Sequence, residues 1–124
     1  MAFARWSLFL FGLLISSQLL AANPQVEFET SHGSFVVELY PDKAPQTVAN
    51  FLQYVASDFY EGTIFHRTIR KFVIQGGGLT EMLKPKATQQ PPIPNESTNG
   101  LSNDFGTLAM ARGYGTNTAT SQFY

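Results

Sequence analysis

The chain has 124 residues, a formal net charge of −1 and an isoelectric point near 6.0, which is enough sequence for one domain at most. The absence of cysteine excludes disulfides, thiolate metal sites and a thiol nucleophile, and the balanced charge gives no broad basic surface for nucleic acid. Aromatic residues make up 14% of the chain, a content that suits a packed, β-rich core.

Residues 1–22 have the pattern of a secretory signal peptide. Arg5 gives a short positive start, Trp6–Ile15 is almost entirely apolar, and small residues follow at Ala21 and Ala22. The apolar run is shorter than the ~20 residues that a membrane-spanning helix needs, which favours cleavage near Ala22 over an uncleaved membrane anchor. We therefore expect an exported, periplasmic protein that has no stable membrane insertion after cleavage.

The chain after the signal peptide predicts a β-hairpin and then a helix. Val26–Thr30 and Ser34–Tyr40 alternate apolar and polar residues around a turn in which Gly33 can take a positive φ. Pro45 suits the first position of a helix that we expect to end at Ser57-Asp58. Apolar residues follow Pro45 at the spacing of one helix face, at Val48, Phe51, Leu52 and Val55.

The next stretch predicts a second hairpin that carries polar side chains. The runs Thr63–Phe65 and Phe72–Ile74 flank a basic turn, and the glycines at 76–78 close the unit. Strand alternation places Arg67 and Gln75, which both carry hydrogen-bond donors, in an otherwise apolar setting. This combination is typical of a binding site.

The remainder of the chain is less regular. Leu79–Phe105 contains four prolines among many polar residues, so it predicts a long loop, which is either functional or a disordered insertion. Gly106–Arg112 predicts a further buried strand, and Ser121–Tyr124 predicts the start of another.

Three motifs, in order, resemble the cyclophilin-type peptidyl-prolyl cis-trans isomerases, and most of all the bacterial exported branch. They are FHRTIRKFVIQGGG at 65–78, GTLAMAR at 106–112 and SQFY at 121–124, and the likeness runs from about Val26 to Tyr124. The resemblance implies a mainly β fold, a closed antiparallel barrel of eight strands with a helix over each end. This chain supplies about six strands and one helix, and a barrel lacking strands keeps open edges. We therefore expect residues 23–124 to be the N-terminal portion of a cyclophilin-like domain that is truncated at its C-terminus.

The same resemblance implies an enzyme that accelerates rotation about X-Pro bonds in exported proteins, with no metal and no cofactor. Arg67 is the predicted catalytic residue, because its permanently charged guanidinium can reach both the carbonyl and the prolyl nitrogen of a twisted bond. Phe72, Val73 and Tyr124 are implied to form the apolar pocket for the proline ring, Gln75 and Gln122 to bind the peptide backbone, and Ala111 and Arg112 to line the rim.

The expected partners are proline-containing segments of unfolded or folding exported proteins. The family also suggests cyclosporin-like ligands, although the family residue that governs cyclosporin sensitivity has no counterpart up to Tyr124. Val73, Tyr124 and Arg112 differ from the Met, Phe and Asn that many relatives carry. Two alternatives stay open: a non-catalytic proline-peptide binder or holdase that uses the same groove, and an inactive truncated fragment.

Overall fold

The computed structural model describes residues 21–124, which contain four strands and one helix. In chain order these are β1 (Gln25–Thr30), β2 (Gly33–Glu38), α1 (Pro45–Ala56), β3 (Arg67–Ile69) and β4 (Val73–Gln75). The predicted signal peptide lies outside the described residues except for its last two. Within the described part of the chain, no helix has both the length and the apolar composition to cross a membrane.

The first hairpin confirms the sequence prediction. β1 and β2 are antiparallel, and Thr30 at the end of β1 lies opposite Gly33 at the start of β2. Gly33 has φ +115°, a conformation that side chains disfavour, so the tight turn requires glycine there. The rings of Phe28 and Phe35 stack across the pair with centroids 4.7 Å apart. β2 ends at Glu38, two residues before the predicted end.

The helix also forms where the sequence predicts it. Pro45 lies at its first turn, where the missing N–H leaves no hydrogen bond unmade. Val48 and Phe51 of the predicted stripe are buried, and the other two members are half-buried. Tyr54, which is not a member of that stripe, is 0% exposed and has its ring centroid 4.7 Å from that of Phe59.

Phe123 connects the separate elements in the core. It is 5% exposed, and four aromatic rings surround it edge-on at centroid distances from 5.3 to 6.0 Å. Edge-on packing matches the positive edge of one ring with the negative face of another. These rings belong to Phe28, Phe51, Tyr60 and Phe65. The last residues of the chain are thereby fixed beside both hairpins.

The second hairpin is shorter than predicted, and one of its expected strands is wrong. β3 pairs with β4 so that Arg67 lies opposite Gln75. The run Thr63–Phe65 is not part of a strand, and Thr63 forms an isolated bridge with Thr80 instead. The turn explains the shift, because Lys71 takes φ +63° and centres the hairpin there, which leaves residues 63–65 beside residues 76–80.

The two later predicted strands appear only as isolated bridges. Phe123 pairs with Met110 on one side and with Gly76 on the other, both antiparallel. Gly77 has φ +82° and turns the chain out of an extended conformation directly after the second bridge. Among residues 21–124 the strands form two separate two-stranded sheets, so the six predicted strands of a barrel are not all present there.

The long loop over residues 79–105 is irregular, as predicted, and is anchored at two points along its length. The Lys86 Nζ donates to two backbone carbonyls in the turn after α1, at 2.6 and 3.0 Å. The Glu96 carboxylate accepts from two backbone N–H groups in the first turn of α1, at 2.6 and 3.2 Å. These bonds fix the loop against the helix, which argues against a disordered insertion.

Candidate active site

Arg67 and Gln75 lie opposite each other in the second hairpin. They are a registered pair of β3 and β4, and paired residues of neighbouring strands project from the same face of a sheet. The Nη1 of Arg67 donates a hydrogen bond to the Oε1 of Gln75 at 3.0 Å. Because Arg67 is an exposed residue, this face presents a permanently charged, forked donor to an incoming ligand.

Gln122 continues this hydrogen-bonded row. The Nε2 of Gln75 donates to the Oε1 of Gln122 at 3.0 Å. Gln122 is held there because its neighbour Phe123 exchanges two backbone hydrogen bonds with Gly76, at 3.0 and 3.1 Å. Since an amide has one donor end and one acceptor end, engaging both ends of Gln75 fixes its orientation. Three predicted site residues thus form one row, guanidinium to amide to amide.

Ala111 borders this row, whereas Arg112 lies apart from it. The backbone N–H of Ala111 donates to the carbonyl of Gln122 at 2.8 Å, which places half-buried Ala111 beside the amide row. Arg112 is exposed, and its Nη1 donates to the carbonyl of Gly115 at 3.4 Å, within its own loop.

The predicted proline pocket is not assembled among the described residues. Val73 is half-buried and follows strand alternation onto the face of Gln75, but Phe72 lies in the turn and is 76% exposed. Tyr124 is half-buried, and its hydroxyl accepts from the Asn103 Nδ2 at 3.2 Å. The roles of these three side chains in holding a proline remain predictions.

A cavity of about 560 Å³ lies outside the hydrogen-bonded row and is lined in part by Arg112. Its lining comes from β2, from α1, from the second half of the long loop and from the segments that follow it, and it includes Leu39, Phe51 and Leu108. Tyr124 belongs to this lining, but Arg67 and Gln75 do not. The cavity and the hydrogen-bonded row are therefore separate features.

Tyr60 supports the segment that carries Gln122. Its hydroxyl donates to the carbonyl of Ser121, which is 1% exposed, at 2.8 Å. Burial raises the pKa of Tyr60, and nearby Tyr54 raises it further, so the hydroxyl stays protonated and able to donate. Sequence spacing gave no sign of this support, because residues 60 and 121 have no local relation.

Glu96 is a second residue that sequence reasoning missed. Partial burial raises the pKa of its carboxyl, but the hydrogen bonds from Thr47 and Gln46 outweigh that effect, and the pKa lies below its ordinary value. A signal for it existed in the sequence: the residue before Pro45 is Ala44, which cannot cap a helix through its side chain. An acceptor from elsewhere in the chain was therefore to be expected.

Comparisons with known proteins agree on one family. The sequence profile of the cyclophilin type peptidyl-prolyl cis-trans isomerase/CLD family matches residues 25–124. A peptidyl-prolyl cis-trans isomerase of Acinetobacter baylyi is 52% identical over 120 residues, which are 97% of this chain and 63% of the relative. Peptidyl-prolyl cis-trans isomerase B of Escherichia coli is 54% identical over 99 residues, which are 80% of this chain and 60% of the relative.

A solved structure gives the same result for the fold. A crystal structure of a Cryptosporidium parvum cyclophilin type peptidyl-prolyl cis-trans isomerase, in the presence of the dipeptide Ala-Pro, matches with a TM-score of 0.62 and 29% identity. The match covers 81% of this chain and 65% of that chain. The chain spans about three fifths of the length of the two bacterial relatives.

Proposed function

Because this chain belongs to the cyclophilin type peptidyl-prolyl cis-trans isomerase family, we propose that it accelerates cis–trans rotation about X-Pro bonds. The observation that carries the proposal is the hydrogen bond of 3.0 Å between the Arg67 Nη1 and the Gln75 Oε1. It holds a charged, forked donor on an exposed face, at the position that the family resemblance assigns to catalysis.

The chemistry needs only a correctly placed donor. The barrier to X-Pro rotation, about 18–20 kcal/mol, comes from amide resonance. Rotation localises the lone pair on the prolyl nitrogen, so a donor aimed at that nitrogen binds the twisted state more tightly than either planar isomer. Lowering the barrier by about 5 kcal/mol would accelerate exchange roughly a thousand- to ten-thousand-fold.

The other site residues would hold the peptide beside Arg67. Gln75 and Gln122 carry amide groups that can bind the peptide backbone, and Ala111 and Arg112 would form the rim. Val73 and Tyr124 would contact the proline ring together with Phe72. The 76% exposure of Phe72 supports this role, because a free apolar ring gains from burial against a proline ring.

We propose that the substrates are proline-containing segments of exported proteins that are still folding. The Cryptosporidium parvum structure in the presence of the dipeptide Ala-Pro supports this choice of substrate. The signal-peptide pattern of residues 1–22 supports export, to a periplasm in bacteria. The Acinetobacter baylyi relative aligns with 97% of this chain, which includes most of those residues.

We further propose that the described residues form part of a cyclophilin barrel, and that the cavity of about 560 Å³ is its open side. The fold likeness to the Cryptosporidium parvum structure, of which this chain covers 65%, supports the partial barrel. The greater length of the two bacterial relatives supports it as well. In a chain of the relatives' length, the additional strands and helix would cover this cavity.

The test is isomerisation of a proline tetrapeptide, followed without a protease. The chain is measured both alone and as a chimera that continues from Tyr124 with the C-terminal part of the Escherichia coli relative. Arg67→Ala should abolish catalysis but leave suppression of client aggregation nearly unchanged. Arg70→Ala, which removes an exposed arginine from the same hairpin, is the matched control and should remain active. Equal rates for the two variants would favour the non-catalytic holdase, and no activity in either wild-type protein would reject the enzyme.

A further inference from the structure

The side chain of Gln122 occupies the space that a side chain at residue 78 would fill. A Cβ atom placed on Gly78 would lie 2.5 Å from both the Cγ and the Nε2 of Gln122, closer than the 3.0 Å that Cβ atoms in proteins respect. Gly78 is buried, so the contact lies inside the protein. The amide of Gln122 therefore rests directly on the backbone of residue 78.

This contact continues into the row that ends at Arg67. The Gln122 Oε1 accepts from the Gln75 Nε2 at 3.0 Å, and the Gln75 Oε1 accepts from the Arg67 Nη1 at 3.0 Å. Moving the amide of Gln122 would break the first of these bonds. Gln75 would then be free to turn, and the guanidinium would lose the acceptor that orients it.

We propose that Gly78 is a positioning residue for Arg67 and that it acts through Gln122 and Gln75. This inference rests on the proposed isomerase function. The missing side chain of Gly78 is what lets the two amides align between the chain segments.

The backbone at Gly78 does not itself require glycine. Its φ lies outside the positive range, in contrast to φ +82° at neighbouring Gly77. A Cβ on Gly77 would also lie 2.6 Å from the ring of Phe123, which is buried and packed against four other aromatic rings. A Cβ on Gly78 would meet the Cγ, Cδ and Nε2 of Gln122, a side chain that can turn away as a whole by changing rotamer. Gly78→Ala should therefore displace one side chain and leave the fold intact.

The experiment is a double-mutant cycle between Gly78→Ala and Gln122→Ala, measured as kcat and KM for a proline tetrapeptide. The full chain is used, with the chimera that carries the C-terminal part of the Escherichia coli relative as a second background. A hydrogen bond to a charged group contributes enough that its loss should lower kcat by about 10- to 150-fold in Gly78→Ala. In the Gln122→Ala background the same substitution should have no further effect, because the displaced group is already gone.

Gly113→Ala is the matched control. Its φ is also outside the positive range, and its added Cβ would lie 3.5 Å from the Thr118 Oγ1, an ordinary contact. We expect wild-type kcat and melting temperature for this variant, and for Gly78→Ala a drop in melting temperature no larger than that of Gln122→Ala, because both lose the same hydrogen bond. A loss of kcat that is additive with Gln122→Ala would overturn the inference, as would an active Gly78→Ala enzyme with unchanged kcat.

The side-chain NMR signals separate this inference from the proposed function. Gly78→Ala should shift the amide signals of Gln75 and Gln122 and the guanidinium signal of Arg67, whereas Gly113→Ala should shift none of them. If Gly78→Ala causes these shifts but the wild-type protein does not isomerise the peptide, the proposed function is rejected and the positional coupling is retained. Unchanged signals in an active enzyme would reject the coupling alone.

Discussion

Glu96 provides the most direct test of how the long loop is held. We predict that Glu96→Ala destabilises the protein, because its carboxylate accepts from two backbone N–H groups at the start of α1 and from the Thr47 hydroxyl at 2.8 Å. No capping side chain at residue 44 replaces it, since that residue is alanine. The loss should leave those donors without their acceptor and free one anchor of the loop.

The magnitude follows from the contacts. Removing a helix cap costs about 0.5–2 kcal/mol, and a carboxylate at a helix N-terminus contributes about 0.3–1 kcal/mol through the helix dipole. We therefore expect Glu96→Ala to lower the free energy of unfolding by about 1.5 kcal/mol. Glu96→Gln, which keeps an acceptor oxygen but loses the charge, should lose about half of that. For a domain of this size, each kcal/mol corresponds to about 4–8 °C in melting temperature.

The effect should depend on pH in a defined direction. The pKa of Glu96 is lower in the folded protein than its ordinary value of 4.5. Its contribution is therefore complete above that value and is lost as the pH falls through the folded pKa. The difference in stability between the wild type and Glu96→Gln should stay constant from about pH 6 to 8 and shrink below about pH 4.

Urea unfolding, followed by circular dichroism and tyrosine fluorescence, measures these differences. Glu81→Ala is the matched control, because it removes an exposed glutamate from the same loop. If Glu96→Ala unfolds at the same urea concentration as Glu81→Ala at neutral pH, the loop is not anchored as described. A gap between the wild type and Glu96→Gln that persists at pH 3 would refute the electrostatic part of the reasoning.

Three further predictions concern residues that support the site and the long loop. Gly77→Ala should lower the free energy of unfolding by about 2 kcal/mol or more, because φ is +82° and the rings of Phe123 and Tyr60 lie within 3 Å of the added Cβ. The control Gly113→Ala should leave the free energy of unfolding unchanged, and equal urea midpoints for the two variants would contradict the prediction. Lys86→Met should lower the free energy of unfolding by about 1–3 kcal/mol, because the Lys86 ammonium donates hydrogen bonds to two backbone carbonyls. Thermal unfolding measures the difference, and Lys84→Met, which changes an exposed lysine, should have little effect. Because burial raises the pKa of Tyr60, an absorbance titration of the folded protein should show a late tyrosine ionisation that Tyr60→Phe removes. A titration curve whose late part is unchanged by Tyr60→Phe would be inconsistent with burial of the Tyr60 hydroxyl.

Local signals in the sequence sufficed for the first hairpin and for α1. Gly33 and Pro45 restrict their own backbone angles, and the apolar periodicity of the neighbouring residues fixes which face is buried. Such information lies within a few residues of the element that it specifies. The predicted bounds accordingly agree with the structure to within two residues.

Non-local contacts explain most of the differences. The register of the second hairpin depends on a positive φ at Lys71. The sequence gives no sign of it, because lysine is not a residue that favours a positive φ in turns. Glu96 meets Thr47 across 49 residues of sequence, and Tyr54 is buried by residues outside its own helix stripe. Spacing along the chain cannot show which distant segment covers a residue.

The same distinction applies to the candidate site. Strand alternation placed Arg67 and Gln75 in an apolar setting, and the family resemblance added Gln122; the pairing of the three in one row comes from the structure. The close approach of Gln122 to Gly78 was not predictable, because it depends on how the last segment pairs with the glycines. The exposure of Phe72 was missed for the same reason, since burial of a turn residue depends on what packs over it.

The central claim is that a fork of donors on Arg67, and not its charge alone, stabilises the twisted X-Pro bond. Arg67→Lys retains the charge but replaces the planar fork with a single ammonium group. Exchange spectroscopy by NMR should show that Arg67→Lys catalyses cis–trans isomerisation of a proline peptide about 10- to 100-fold more slowly than the wild type. The control Arg70→Lys should isomerise the peptide at the wild-type rate. Wild-type exchange in Arg67→Lys would contradict the account.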